Sequence, residues 1–403
     1  MVKSFGENRQ RKITLVTFGH VQPTHRGADG STWELIQSLH AQNRLAAVIC
    51  CDFDSEAASQ VGVPFVVPRR RIFRWVSFLI EGLGRGGSSW VRRARERFFD
   101  HLVRRSPILS QAECVVFRKP NFELTAQRLR DLDIPTLAIA SILHPRTNYE
   151  RVGAEAEKRK LIDHSPYRDR IRLSQLEKFF DRCDRILTTE VVGEESFKQH
   201  GVSPDRLVTT RLMNGADCAR FSPRQDVRSW GPLRFLHLSA MNLIKGVGPL
   251  FEAWARSELE DAELVLAGSM DASTQNLFER RVMTGRRWIG PVDNSPLCYR
   301  EADVFISPSL SDSAPNTILE ALASGLPVIA SDACGASILI EHGVNGLLYP
   351  WNDVDALESC IAWCDQNRNR LESMGQAARE TAVLNPRGKF GAEVLRAVDS
   401  IRL

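Results

Sequence analysis

Short apolar runs rich in β-branched residues alternate with helical periodicity along almost the whole chain, the pattern of parallel sheets built from strand–helix–strand units. In the first half it predicts strands at 13–18, 45–50, 64–67, 113–117, 136–140 and 185–189. In the second half the strands fall at 234–239, 263–267, 288–290, 303–307 and 328–330. Between the two series Asn214, Gly215, Pro223, Gly231 and Pro232 cluster among polar residues and interrupt both periodicities. The reading is α/β with two facing, doubly wound, Rossmann-like domains, 1–213 and 232–385, joined by a linker at 214–231. In open α/β sheets ligands bind beyond the carboxyl ends of the strands, so the active site is expected in the cleft between the domains.

Size and composition agree with that division. At 403 residues the chain exceeds what one core supports. Its 43% hydrophobic and 25% charged residues are those of a soluble globular protein. No apolar run approaches the ~20 residues that span a bilayer, and the start is polar, so the expected location is the cytoplasm or its membrane surface. Nine scattered cysteines without a Cys-x-x-Cys pair read as reduced packing residues. Cys360 and Cys364 share a helix face but have no further ligand for zinc nearby.

The segment richest in chemistry runs from Asp303 to Ser331. A buried strand ends in a polar loop, a helix opens after Pro315, and a second strand starts at Pro327. Asn316 is read as the helix cap, and the N–H groups of the first turn, which opens after Pro315 with Asn316 and Thr317, form an anion site suited to a diphosphate. Glu320, one turn in, can accept hydrogen bonds from a ribose diol, and Asp312 on the loop can reach sugar hydroxyls.

An acid, seven residues and Glu, set between Pro-Ser and Ala-x-Ala-x-Gly-x-Pro-Val-Ile-Ala-Ser, resembles the signature of GT-B retaining glycosyltransferases of family four, the group 1 glycosyl transferases. The resemblance implies that Asp312 contacts the donor sugar and Glu320 the ribose, with Asp312 shorter than the usual Glu. The stretch from Phe235 ending in Lys245-Gly246-Val247 is similar to the family's strand and Lys-Gly loop, which implies Lys245 on the donor phosphates. Ala240 stands where the family commonly has Arg. Asn214-Gly-Ala-Asp-Cys-Ala-Arg-Phe-Ser-Pro resembles the interdomain hinge, and the stretch Ala140 to Arg146 resembles a strand end that turns a histidine, His144, toward the donor sugar. Gly27 and Gly30 resemble the glycine-bearing loop near the phosphates. By the same analogy the last helix, 386–403, returns to the first domain.

The resemblance implies retaining, metal-independent transfer of a hexose-type sugar from a UDP or GDP sugar to a glycan, lipid-linked or small-molecule acceptor, with no cofactor. The alternatives on this fold are a nucleotide-sugar epimerase or hydrolase and a non-catalytic donor-binding scaffold. No Gly-x-Gly-x-x-Gly follows the first strand, which counts against a nicotinamide enzyme. Each motif also has a plain reading: solvated acids, a turn lysine, structural glycines, and a histidine satisfying backbone groups.

Charge adds one local feature. From Arg69 to Arg105 there are eleven arginines and three acids, a net of +8 against +4 for the whole chain. Trp90, Val91, Ala94, Phe98 and Leu102 are read as one helical face, with Phe73, Trp75, Val76, Phe78 and Leu79 as an apolar stretch before them. Packing on its own domain and peripheral contact with an anionic membrane are the two readings, with nucleic acid third for want of a binding module.

Overall fold

Strands with every residue buried recur along the chain, as sheets covered on both faces require. The computed structural model describes residues 10–23, 27–83, 89–163, 165–225, 231–280 and 283–401. Part of the linker and the last two residues of the chain lie outside these, as do residues 84–88 of the arginine-rich stretch.

The first domain runs β1 (Ile13–Val16), β2 (His20–Val21), α1 (Gly27–Ala41), β3 (Leu45–Ile49), β4 (Asp52–Phe53), α2 (Ser55–Val61), β5 (Phe65–Val66), α3 (Arg70–Leu83) and α4 (Ser89–Val103). It continues with β6 (Cys114–Phe117), α5 (Glu123–Asp131), β7 (Thr136–Ile139), α6 (Pro145–Lys158), α7 (Arg170–Arg182), β8 (Arg185–Thr189), α8 (Val192–Gln199) and β9 (Leu207–Thr210). Seven parallel strands are ordered β5-β3-β1-β6-β7-β8-β9. Ile13 and Leu15 face one core and Val16 the other, where Phe99, Phe117, Phe122 and Phe179 gather.

The second domain runs β10 (Leu233–Leu238), α9 (Val247–Ser257), β11 (Ala262–Ala267), α10 (Ala272–Arg280), β12 (Arg286–Trp288), α11 (Ser295–Arg300), β13 (Val304–Ser307), α12 (Asn316–Ala323), β14 (Val328–Ser331), β15 (Gly346–Tyr349), α13 (Val354–Gln366) and α14 (Leu371–Leu384). Its parallel order is β12-β11-β10-β13-β14-β15. Strand order reverses between β10 and β13, so the loops after these two strands diverge and leave a crevice.

The chain crosses between domains twice, and the crossings lie side by side. Ala216 bridges Pro386, and the Ala216 amide donates to the Asn385 carbonyl at 2.8 Å. A Cβ on Gly215 would lie 2.1 Å from the Pro386 carbonyl oxygen, so only glycine lets the crossings approach. After the second crossing α15 (Phe390–Asp399) sets Val394, Leu395 and Val398 into the core around Ile13 and Leu137. This helix opens at Phe390 instead of 386, because Pro386 is occupied in the bridge.

Other expectations need correction. The strand placed at 288–290 is Arg286–Trp288, since the Gly290 carbonyl accepts from Gly268 beyond the strand end. The edge strands β9 and β15 carry no long apolar run and escaped the sequence pattern. On α4 the inward face holds Val91, Phe99, Leu102 and Val103 together with Glu96 and Asp100, while Trp90 is exposed. The acids turn inward because partners await them. Glu96 pairs with Arg172 at 2.9 Å, and Asp100 accepts from the Leu124 amide at 2.7 Å and the Thr125 amide at 3.0 Å.

Candidate functional site

The crevice of the second domain is built from three loops. After β10 a 3-10 turn, Leu243–Lys245, ends at Gly246, whose φ of 70° is left-handed. A Cβ there would lie 1.7 Å from the Pro308 carbonyl oxygen. The glycine therefore lets the turn press against the loop after β13, and the Leu310 amide locks the two together by donating to the Ile244 carbonyl at 2.8 Å.

That contact brings two predicted residues face to face. The Lys245 ammonium is ion-paired and hydrogen-bonded to Asp312 Oδ2. Partial burial works to lower the Lys245 pKa, but the Asp312 carboxylate more than offsets it and holds the ammonium above its ordinary range. Both remain reachable from the cleft, with side-chain exposures of 29% and 13%. Asp312 is held from behind as well. Its amide donates to the Ala333 carbonyl at 3.2 Å and its carbonyl accepts from Gly335 at 2.7 Å, while Oδ1 accepts from the Ala314 amide at 3.3 Å.

The third part is the start of α12. Pro315, extended at φ −71° and ψ 100°, holds the cap position without a side-chain bond, and Asn316 is the first helical residue. This corrects the assignment of Asn316 as cap: the proline already ends the loop in extended form, so helical geometry begins with the asparagine and Thr317. The first-turn amides of α12 point out of the helix and carry its positive dipole end. Glu320, one turn on, accepts a 2.8 Å hydrogen bond from the Tyr299 hydroxyl. Burial raises the Glu320 pKa, against the Tyr299 hydrogen bond and the nearby Arg220 and Arg387, which pull it down.

Under this crevice His237 of β10 is fully enclosed. Its Nδ1 is 3.0 Å from the Ile306 carbonyl, which accepts only, so Nδ1 carries the proton and Nε2 accepts from Ser239 Oγ at 2.8 Å. Burial depresses its pKa to about 4, with the Ile306 carbonyl working upward and Lys245 downward.

Across the cleft α6 closes on these loops. Arg151 donates to the Leu310 carbonyl at 2.7 Å and lies 4.3 Å over the Trp351 ring. Ser311 Oγ donates to Asn148 Oδ1. Val152 and Ala156 pack against Leu243 and Ile244. Arg159 bridges Glu155 on its own helix and Glu252 on α9, the latter at 3.0 Å. Thus residues 243–246 and 308–312 are clamped between the two domains.

The remaining predicted residues are placed otherwise. His144 precedes α6, and its Nδ1 accepts the Arg146 amide at 3.3 Å as a helix cap. Its ring is buried, stacked 4.5 Å from His200 and edge-on to Phe197. Burial, then His200 and Arg146, lowers its pKa to about 3. The imidazole is therefore engaged through Nδ1 as a helix cap, the backbone-satisfying reading that the sequence also offered. Gly27 and Gly30 belong to the first turn of α1 and not to a loop before it. Tyr299, Arg151 and Asn148 were missed. Tyr299 stands in a short helix with no motif around it, and the α6 residues are recognisable only once the domains are docked.

Comparisons with known proteins were made with this geometry in view. Residues 232–367 match the family model described as Glycosyl transferases group 1. The chain is 24% identical over 271 residues to the putative colanic acid biosynthesis glycosyltransferase WcaL of Salmonella typhimurium, covering 64% of this chain and 63% of that one. It is 24% identical over 269 residues to the amylovoran biosynthesis glycosyltransferase AmsK of Erwinia amylovora, covering 63% and 61%. The chain thus spans less than two thirds of the length of these curated relatives. Among solved structures it is similar to Anabaena HepE in complex with UDP, at 15% identity and a TM-score of 0.64, covering 97% of this chain and 100% of that one. That likeness shows the fold, the GT-B arrangement of two facing Rossmann-like domains.

Proposed function

We propose that this chain, whose residues 232–367 match the group 1 glycosyl transferases, is a glycosyltransferase that moves a hexose-type sugar from a UDP or GDP sugar to a glycan, lipid-linked or small-molecule acceptor. The observation that carries the proposal is the meeting of Lys245, Asp312 and the α12 N-terminus in the crevice where strand order reverses. A donor diphosphate on the α12 amides would receive the Lys245 ammonium, while Asp312 contacts the sugar and Glu320 the ribose. The bond from the anomeric carbon to the diphosphate breaks with its electron pair passing to phosphate oxygen. The acceptor oxygen then bonds to the same face of the sugar, giving retention, and its proton passes to the departing phosphate. The fixed positive groups do the work of neutralising the leaving group, so neither a metal ion nor a cofactor is required. The bound UDP of HepE favours a nucleotide donor, and the names of WcaL and AmsK, glycosyltransferases of colanic acid and amylovoran biosynthesis, favour a glycan-type acceptor.

The test begins with thermal shift. UDP, GDP, their sugar conjugates and NAD are compared, since a ligand at ~100 times its dissociation constant adds ~2.7 kcal/mol. A rise with one nucleotide diphosphate and none with NAD identifies the donor. Slow hydrolysis of that donor should then fall by about 100- to 1000-fold in Lys245→Ala and persist in EDTA, with the transferred sugar keeping its anomeric configuration by NMR. An unchanged Lys245→Ala rate refutes the phosphate role. Interconversion of free nucleotide sugars would favour an epimerase, and silence toward every nucleotide a scaffold.

A further inference from the structure

Helix α3 is apolar on two sides, and its own domain covers only one. Inward, Phe73 packs 4.9 Å from Phe99 and stacks at 6.4 Å on Phe98. Outward, Trp75 is 64% exposed, Phe78 73% and Leu83 81%, with Ile72 and Leu79 exposed beside them. At about 100° per residue these five fall within an arc roughly 140° wide, opposite Phe73 and Ser77. Arg71 lies inside the arc and Arg74 at its margin, with Arg69 just ahead of the helix, all three exposed. Glu81, the one acid of the helix, is paired with Arg95 at 2.6 Å.

Large apolar side chains left in water beside unopposed arginines require a partner that is apolar within and negative at its rim. A second copy of the same face would set Arg71 and Arg74 against their own equivalents, which charge disfavours. An anionic bilayer meets both needs: indole and phenyl rings seat at the headgroup level, and arginines reach phosphates while their stems lie on apolar surface. No helix among the described residues is long and apolar enough to cross a membrane, so this contact would be peripheral.

We propose that the outward face of α3 docks on an anionic lipid surface. Its placement gives the contact a use. Arg70, at the start of α3, pairs with Asp52 at 2.6 Å, and Asp52 follows the carboxyl end of β3, on the cleft side of the first sheet. A docked molecule holds the first-domain half of the cleft at the bilayer, within reach of an acceptor anchored there. The docking rests on the surface of α3 and stands apart from the assigned chemistry.

The experiment is co-sedimentation of the full chain with phosphatidylcholine vesicles and with vesicles containing 30% phosphatidylglycerol (~0.3 mole fraction, a composition chosen so that surface charge governs partition). The expected result is binding to the anionic vesicles alone, weakening at high salt. Arg71→Glu with Arg74→Glu should weaken it at least ~5-fold per arginine. Trp75→Ser with Phe78→Ser should abolish it, and both variants should keep the wild-type melting temperature and nucleotide response because the altered side chains face solvent. Binding to neither vesicle, equal binding to both, or no change with the aromatic pair overturns the proposal. So does a concentration-dependent dimer in sedimentation velocity that the aromatic substitutions dissolve, which would assign the face to self-association. A nucleotide response retained when vesicle binding fails would leave the assigned chemistry standing.

Discussion

Gly246→Ala should disable the crevice by a mechanism whose size can be worked out beforehand. At φ 70° an L-residue costs ~1–2 kcal/mol over glycine. The new Cβ would sit 1.7 Å from the Pro308 carbonyl oxygen, a backbone atom without a rotamer to yield. Relief requires the 3-10 turn carrying Lys245 and the loop carrying Asp312 to separate by about 1.5 Å, given ordinary contacts of ~3.3 Å. Overpacking of that kind adds ~1–3 kcal/mol, for a total of about 2–5 kcal/mol. Gly62 supplies the control: its φ is 69° and nothing lies within 4 Å of its Cβ position, so Gly62→Ala carries the conformational cost alone. Thermal melts of the two variants should therefore differ, Gly246→Ala falling further by roughly 2–4 °C for each additional kcal/mol. Gly246→Ala should also lose its stabilisation by nucleotide, because separation takes Lys245 away from Asp312. Equal melting temperatures and intact nucleotide response in both would show that the Pro308 loop yields freely, and the reasoning would fail.

Tyr299→Phe removes the hydroxyl that donates to Glu320 and should cost about 1.5–3 kcal/mol, with donor binding weakened more than its turnover. Melting and donor titration check it, and wild-type behaviour would remove Tyr299 from the site. Burial keeps His144 and His237 at about 3 and about 4 in the folded chain, against 6.5 when free. Below pH 6.5 the unfolded chain takes up protons that the folded one refuses, so stability falls with pH, by about 2 kcal/mol per histidine at pH 5. Urea denaturation at pH 7 and pH 5 should show that loss, and His144→Gln should reduce it; a flat profile contradicts the burial argument. Arg151→Ala loses a charged hydrogen bond to the Leu310 carbonyl and the Trp351 stack, about 2–4 kcal/mol together. It should lower turnover more than donor affinity in steady-state kinetics, and unchanged turnover would separate the clamp from catalysis.

The legible parts of this chain are those where one physical cause dominates. β1, β6, β7, β13 and β14 are buried at every position and read as continuous apolar runs, so the sheet centres were plain. β9, Leu-Val-Thr-Thr, is half exposed at a sheet edge, and its pattern matches a loop as well as a strand. On α4 the face read from the sequence, Trp90, Val91, Ala94, Phe98 and Leu102, left out Glu96 and Asp100, because a charge turns inward only when distant residues receive it. Arg172 and the amides of Leu124 and Thr125 do so here from α7 and α5. His144 was open to two readings for the related reason that one ring nitrogen serves a helix end as well as it serves a ligand.

Lys245 and Asp312 were visible singly because each follows a buried strand, yet their pairing depends on two features with different legibility. Gly246 stood in the sequence as part of the Lys-Gly loop, and the structure makes it the glycine that lets the turn close on Pro308. The clamp from α6 left no such mark: Asn148, Arg151, Val152 and Ala156 have the spacing of any amphipathic helix, and their partners lie about a hundred or more residues on. Their chemistry fits a joint more than a permanent core. The contact joins a small apolar cluster to polar links, the Arg151 guanidinium, the Ser311 hydroxyl and the Arg159–Glu252 ion pair, whose groups water can also serve, whereas the sheets on either side bury whole strands. A cleft held this way is expected to open between the domains before either domain unfolds, so donor can enter and then be enclosed as residues 243–246 and 308–312 come under α6. The same contacts that place Asp312 against Lys245 thus couple closure to assembly of the site.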